Sequence, residues 1–248
     1  MTGPDLSWLI AGPIAHRALH DEMRVENSIS AFRAAIQHGY AIECDLQVSA
    51  TGEPVVFHDP TLDRLTSING DVRDYSPEDL RQIKLGTSQD GISTLSEHLD
   101  LVNGQVPLVL ELKGVEGEDA GLVEGVASAL DGYDGAVAVM SFDHWLCAQF
   151  AELIPNVPRG LTAYGEPDSE GAMASHAQAM ADYDLQFVSY DVQHVDNPFV
   201  HQVREKGLPV ITWTVRNEDA AKRTYQFADQ MTFEGFHPPI RLTRALYV

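Results

Sequence analysis

Glu43 and Asp45 stand two residues apart in the run Tyr40-Ala41-Ile42-Glu43-Cys44-Asp45-Leu46-Gln47-Val48. Such a run reads as a buried strand, and successive side chains on a strand face opposite sides. Both carboxylates therefore share one face while Cys44 takes the other. Glu111 and Lys113 repeat the pattern in Leu108-Val109-Leu110-Glu111-Leu112-Lys113, and His16-Arg17 and His58-Asp59 end two further apolar runs. Acids on an apolar strand are costly to bury unless a cation joins them. Glu43, Asp45 and Glu111 offer only oxygen donors, so Mg²⁺ or Ca²⁺ is expected in preference to zinc. Pairing of the same carboxylates with Arg17 and Lys113, without a metal, is the alternative. His16 and His58 stand beside the acids and could move protons; the other histidines are read as solvated or structural.

Something must bring these residues together. Apolar runs alternate with helical patterns along the chain, which points to βα units and a parallel sheet. Strands are expected near residues 9–15, 41–48, 108–112, 137–141, 160–163, 187–190, 209–215 and 230–233, and helices over 28–38, 120–130, 143–153, 171–183, 198–206 and 218–227. Eight strands in this length predict an α/β fold of the (β/α)₈ TIM-barrel class, with one domain over 1–248. Pro238-Pro239 should keep the last helix short. A short strand over Val55–His58 and an insertion over 60–91 interrupt the rhythm after the second strand, and the insertion reads as a small cap. Within it Ser76-Pro77-Glu78-Asp79 marks a helix start. Thr94-Leu95-Ser96-Glu97 is a capping-box pattern. In this fold the active site lies at the C-terminal ends of the strands. His16, Arg17, Glu43, Asp45, His58, Glu111, Lys113, Ser141 and Trp213 all map there.

The 248 residues carry 37 acidic and 16 basic side chains, a formal charge of −21. That surface repels nucleic acid and anionic membranes, so neither is expected as a stable partner. An anionic phosphate substrate would need local cations: a metal, Arg17 or Lys113. Two cysteines, Cys44 and Cys147, give no disulfide framework. The patch from Trp8 to Ile14 is read as a core strand and not a signal peptide, and no apolar run is long enough to span a bilayer. A cytoplasmic location is expected.

The motifs resemble those of the glycerophosphodiester phosphodiesterases. The resemblance runs through His16-Arg17, Glu26-Asn27 leading into Ala31-Phe32, Glu43-Cys44-Asp45, Val56-Phe57-His58-Asp59, Leu62-Asp63-Arg64-Leu65-Thr66, Thr94-Leu95, Glu111-Leu112-Lys113, Ser141-Phe142 and Trp213-Thr214-Val215. It implies a (β/α)₈ barrel with a small insertion after the second strand. It also implies metal ligation by Glu43, Asp45 and Glu111, acid–base work by His16 and His58, and phosphate contacts from Arg17 and Lys113. Trp213 would pack on the glycerol part and Glu26 would orient a ligand or anchor its loop; Asn27 is expected to cap the first helix. The chain departs from the family pattern in three places. Ala18 replaces the usual glycine, Val25 and Ser28 flank Glu26-Asn27, and Thr232-Phe233-Glu234 stands where a Thr-Asp pair is common.

The expected reaction is metal-dependent hydrolysis of a small-molecule glycerophosphodiester to sn-glycerol 3-phosphate and an alcohol. A lysophospholipase D or sphingomyelinase-D-like activity is the alternative among enzymes, and it would call for an apolar, membrane-facing groove. A non-catalytic relative that binds glycerophosphodiesters would have lost a histidine or a metal ligand, and all are present. An unrelated sugar-phosphate isomerase barrel is a further alternative.

Overall fold

The structure, a computed structural model, describes residues 5–119, 121–165 and 170–240. In chain order the elements are β1 (Ile14–Ala15), α1 (Ile29–His38), β2 (Ala41–Val48), β3 (Pro54–Val56), α2 (Pro77–Gln82), α3 (Leu95–Val102), β4 (Leu108–Leu112), α4 (Leu122–Leu130), β5 (Val137–Ser141), α5 (His144–Leu153), β6 (Arg159–Ala163), α6 (Glu170–Asp182), β7 (Phe187–Asp191), α7 (Pro198–Glu205), β8 (Val210–Val215), α8 (Glu218–Phe227) and β9 (Gln230–Phe233). Eight of these strands are the parallel strands of a (β/α)₈ barrel, and β3 adds an antiparallel strand to β2. Among the described residues no helix is long and apolar enough to cross a membrane.

The chain divides into two compact units. Arg17–Ala136 is one; the chain up to His16 together with the chain from Val137 is the other. In the first, β2 lies between β3 and β4, and the β2–β4 register sets Asp45 beside Glu111 and Glu43 beside Val109. Every residue of β2 and of β4 is buried, as parallel strands covered on both faces require. Ser28 caps α1 by accepting from the Ala31 amide, and Gly39 ends the helix at φ 72°. Thr94 and Glu97 form the expected capping box on α3. The segment over 60–91 packs Leu62, Val72, Leu80 and Leu85 with Val55, Phe57 and Ile92 in a small apolar cluster of its own.

In the second unit the strand order is β1-β9-β8-β7-β6-β5, all parallel. Several expectations need correction here and in the loops. The patch from Trp8 to Ile14 is not a strand: Ser7–Ile10 is a 3₁₀ turn and only Ile14–Ala15 pairs. Gly12 and Pro13 separate the two, and proline offers no amide to a ladder. The short strand after β2 stops at Val56, so His58 sits past its end. The helix expected from Ala120 begins at Leu122, Ala120 itself lying outside the described residues. Asn27 does not cap α1; Ser28 does. The described residues end at Ile240, so the short last helix expected after Pro238-Pro239 lies outside them.

Candidate active site

The acidic trio belongs to the Arg17–Ala136 unit. Glu43, Asp45 and Glu111 project from β2 and β4, are almost fully buried, and bring oxygen atoms within 4.8 Å of one another. Burial first, then the negative charges of Asp45 and Glu111, push the Glu43 carboxyl well above the ordinary carboxylate range. Burial also raises Glu111, although Lys113 opposes it. The Lys113 ammonium bonds Glu111 and lies 3.2 Å from Asp45 Oδ1. Burial works against its charge, but the two carboxylates outweigh this and hold its pKa above the usual lysine value.

A tight loop seals one side of the trio. The Arg17 amide donates to Glu43 Oε2 at 2.8 Å and the Ala18 amide to the Glu43 carbonyl at 3.0 Å. The Asn27 amide returns to the Arg17 carbonyl at 2.9 Å, and Asn27 Nδ2 donates to Asp45 Oδ2 at 2.9 Å. Arg17, Ala18 and Asn27 all take left-handed backbone angles, φ 51°, 64° and 61°. The Arg17 guanidinium donates through Nη1 to Glu26 Oε1 at 2.7 Å. Its buried Nε lies 3.4 Å from Asp45 Oδ2 but makes no hydrogen bond.

Past the end of β3, His58 Nδ1 lies 2.6 Å from Asp59 Oδ1. An ionised carboxylate can only accept, so Nδ1 carries the proton and Nε2 is the atom available for proton transfer. Burial lowers the His58 pKa. Burial by itself would raise Asp59, but hydrogen bonds from Arg64 and His58 hold it below the usual range.

The other unit repeats this device. His16 Nδ1 lies 2.5 Å from Glu234 Oε2, the His16 amide donates to the Phe233 carbonyl at 2.9 Å, and Arg216 Nε donates to Glu234 Oε1 at 2.7 Å. On β8, Trp213 Nε1 donates to the Ser189 carbonyl at 3.2 Å, and its ring meets Phe142 edge-on at 5.3 Å. Ser141 Oγ accepts from the Asp143 amide at 3.0 Å.

The sequence reading thus named Glu43, Asp45, Glu111, Arg17 and Lys113, which the structure brings together, and Glu26, which bonds Arg17. It missed the carboxylates behind the histidines. Asp59 enters the sequence analysis only as the residue after His58, and Glu234 only as a departure from a family pattern. The signal for Asp59 was its adjacency to His58. Nothing local marks Glu234, which lies 218 residues from its partner.

The His16–Glu234 pair also bounds a sequence match. Residues 16–234 match the glycerophosphoryl diester phosphodiesterase family. The chain belongs to this family. A glycerophosphodiester phosphodiesterase of Caldanaerobacter subterraneus subsp. tengcongensis is 30% identical over 243 residues, covering 93% of this chain and 97% of the relative. An Oleispira antarctica phosphodiesterase, solved in complex with the product sn-glycerol-3-phosphate, aligns with a TM-score of 0.79 at 24% identity, covering 90% of this chain and 92% of that chain. A Thermotoga maritima glycerophosphodiester phosphodiesterase aligns with a TM-score of 0.73 at 20% identity, covering 89% and 92%. These two structures share the fold of this chain.

Proposed function

We propose that the protein hydrolyses glycerophosphodiesters to sn-glycerol 3-phosphate and an alcohol, with a hard divalent cation, Mg²⁺ or Ca²⁺. The observation that carries this reading is the buried trio Glu43, Asp45 and Glu111 bracketed by Arg17 and Lys113. The trio fits such an ion by its chemistry: three buried carboxylates offer hard oxygen donors in a single cluster. Burial and then the neighbouring acids disfavour a charged Glu43 carboxylate, and a cation held by the trio would favour it. Glu43, Asp45 and Glu111 would hold it, and when bound it would draw charge from a non-bridging phosphoryl oxygen.

The remaining steps belong to side chains. Arg17 and Lys113 donate charge-assisted hydrogen bonds to the phosphoryl group. One histidine takes a proton from the nucleophile as its oxygen bonds to phosphorus. The other gives a proton to the departing alcohol oxygen as its bond to phosphorus breaks. Asp59 and Glu234 hold the two Nδ1–H groups so that Nε2 faces the reaction. We assign His58 as the acid and His16 as the base. Water and the adjacent glycerol hydroxyl both suit the base as nucleophile, the second by way of a cyclic phosphate. Trp213 packs against the glycerol carbons, and Glu26 orients Arg17. We read the chain as one catalytic domain whose segment over 60–91 caps the site and selects the alcohol. The free, buried thiols of Cys44 and Cys147 support a cytoplasmic location.

The test is turnover of glycerophosphocholine and of a p-nitrophenyl phosphodiester, with and without EDTA. Chelation should abolish activity and Mg²⁺ or Ca²⁺ should restore it. Glu43→Gln, Asp45→Asn and Glu111→Gln should each raise the metal concentration needed. His16→Ala and His58→Ala should lower kcat by about a hundredfold or more. The p-nitrophenolate leaving group needs little protonation, so it should rescue His58→Ala and leave His16→Ala slow. Undiminished turnover in EDTA would sink the metal assignment, and equal rescue of both variants would sink the division of roles.

A further inference from the structure

Arg64 belongs to the segment over 60–91 and lies outside the set assigned above. Its guanidinium grips two carboxylates at once. Nε donates to Asp59 Oδ2 at 2.5 Å and Nη2 to Asp59 Oδ1 at 3.1 Å. Nη1 donates to Glu26 Oε2 at 3.0 Å and Nη2 to Glu26 Oε1 at 2.8 Å. Each carboxylate has a second partner. Asp59 Oδ1 accepts from His58 Nδ1 at 2.6 Å, and Glu26 Oε1 accepts from Arg17 Nη1 at 2.7 Å. One planar cation therefore closes the chain His58–Asp59–Arg64–Glu26–Arg17.

We propose that Arg64 is a positioning residue that fixes, through Asp59 and Glu26, the orientation of both His58 and Arg17. This rests on the reading of His58 and Arg17 given above. The geometry is specific to arginine. Two forks on two carboxylates need a rigid plane of donors, and an ammonium on a flexible stem can satisfy only one side.

The backbone beneath Arg64 is held independently of its head group. The Leu62 amide bonds the Gly70 carbonyl at 2.9 Å, the Thr66 amide the Leu62 carbonyl at 3.1 Å and the Gly86 amide the Leu65 carbonyl at 2.7 Å. Leu62 is fully buried in the local apolar cluster and Leu65 packs against it. The Arg64 side chain is 45% exposed and is not part of that cluster, so its removal opens no cavity there. Its contacts are spent on two residues outside its own segment, which is the arrangement of a strut and not of a core anchor.

The experiment compares wild type, Arg64→Ala, Arg64→Lys, Asp59→Asn and Glu26→Gln with glycerophosphocholine, alongside thermal melts. Arg64→Ala should keep its melting temperature within a few degrees while kcat falls and KM rises, each by about tenfold or more, the usual scale for orienting partners. Arg64→Lys should melt like wild type yet fail to restore both constants. Asp59→Asn should reproduce the kcat part and Glu26→Gln mainly the KM part. Adding Arg64→Ala to Asp59→Asn should lower kcat little further, because the two act through one histidine.

A second measurement needs no turnover: ¹⁵N NMR of the His58 ring. The wild-type ring should show one fixed tautomer, protonated at Nδ1, and Arg64→Ala should show a mixture. Wild-type kcat and KM in Arg64→Ala would overturn the proposal. So would full rescue by lysine, or an unchanged His58 tautomer. If wild type turned over no glycerophosphodiester, the functional reading would fall while the NMR comparison would still decide the role of Arg64.

Discussion

Ala18 pays a local cost for the loop around Glu43. Its φ of 64° is in the left-handed region, and its side chain is 2% exposed. An L-residue there loses about 1–2 kcal/mol relative to the right-handed form, whereas glycine adopts it freely. Glycine also gains freedom in the unfolded chain, which takes back part of the difference. Ala18→Gly should therefore stabilise the protein by about 1 kcal/mol and raise its melting temperature by about 2–4 °C. A fall in melting temperature would show that the Ala18 methyl packs well enough to repay the strain. At this scale the sequence was readable wherever chemistry followed strand alternation. Glu43, Asp45, Glu111 and Lys113 could be placed because side chains two apart share a face. Asn27 could not be read correctly. Its neighbour Ser28 takes the cap, and Asn27 instead turns back on Asp45 in a conformation that only the folded loop imposes. Glu234 shows the same limit, since its role depends on the β1–β9 pairing.

Elements were legible where one pattern ran without interruption. The buried runs of β2 and β4 and the α8 helix fall where the sequence places them, because neither run nor period is broken. The first strand was overlong because hydrophobicity by itself cannot separate a strand from an apolar 3₁₀ turn, here one that buries only Leu9. The segment over 60–91 had one clear helix start, at Ser76-Pro77, but no readable tertiary plan. Gly91 shows why. It bridges Lys84 in a short antiparallel contact, and a Cβ there would stand 1.9 Å from the Arg81 carbonyl oxygen. That closeness arises from the turn after α2 and leaves no mark in composition. Gly91→Ala must push α2 away from Ile92, with an expected cost of about 1–3 kcal/mol, typical of overpacking. Limited proteolysis should then cut residues 60–91 faster than in wild type, with cleavage elsewhere little changed. An unaltered cleavage pattern and melting temperature would mean that the turn yields without cost.

Over the whole molecule, charge sets how substrate arrives. A formal charge of −21 repels an anionic diester at long range, while Arg17 and Lys113 attract it only at the site. Salt shortens the reach of the first effect far more than the second, because partly buried pairs are screened less. Between about 10 mM and 150 mM salt the Debye length falls from about 30 Å to about 8 Å. KM for an anionic substrate such as glycerophosphoglycerol should fall over that range. KM for net-neutral glycerophosphocholine should stay nearly flat. A rise in KM for the anionic substrate would show that local attraction governs encounter.

The buried thiols make each unit its own clock. Cys44 lies on β2 between the two acidic residues of that strand, and burial holds its thiol well above the ordinary cysteine pKa. Cys147, in the other unit, is pushed up to about 12 by the same cause. A protonated, buried thiol does not attack a disulfide reagent until its surroundings open. The labelling rate at each cysteine then equals an opening equilibrium multiplied by the reactivity of a free thiol, as in amide exchange. Cys44 reports the opening of the strand that carries Glu43 and Asp45, and Cys147 reports the α5 region. Labelling both in one sample reads out whether the two units breathe together or apart, with no engineered cysteine needed. A divalent cation held by Glu43 and Asp45 would slow the Cys44 clock directly, and would slow that of Cys147 only to the extent that the two units open as one.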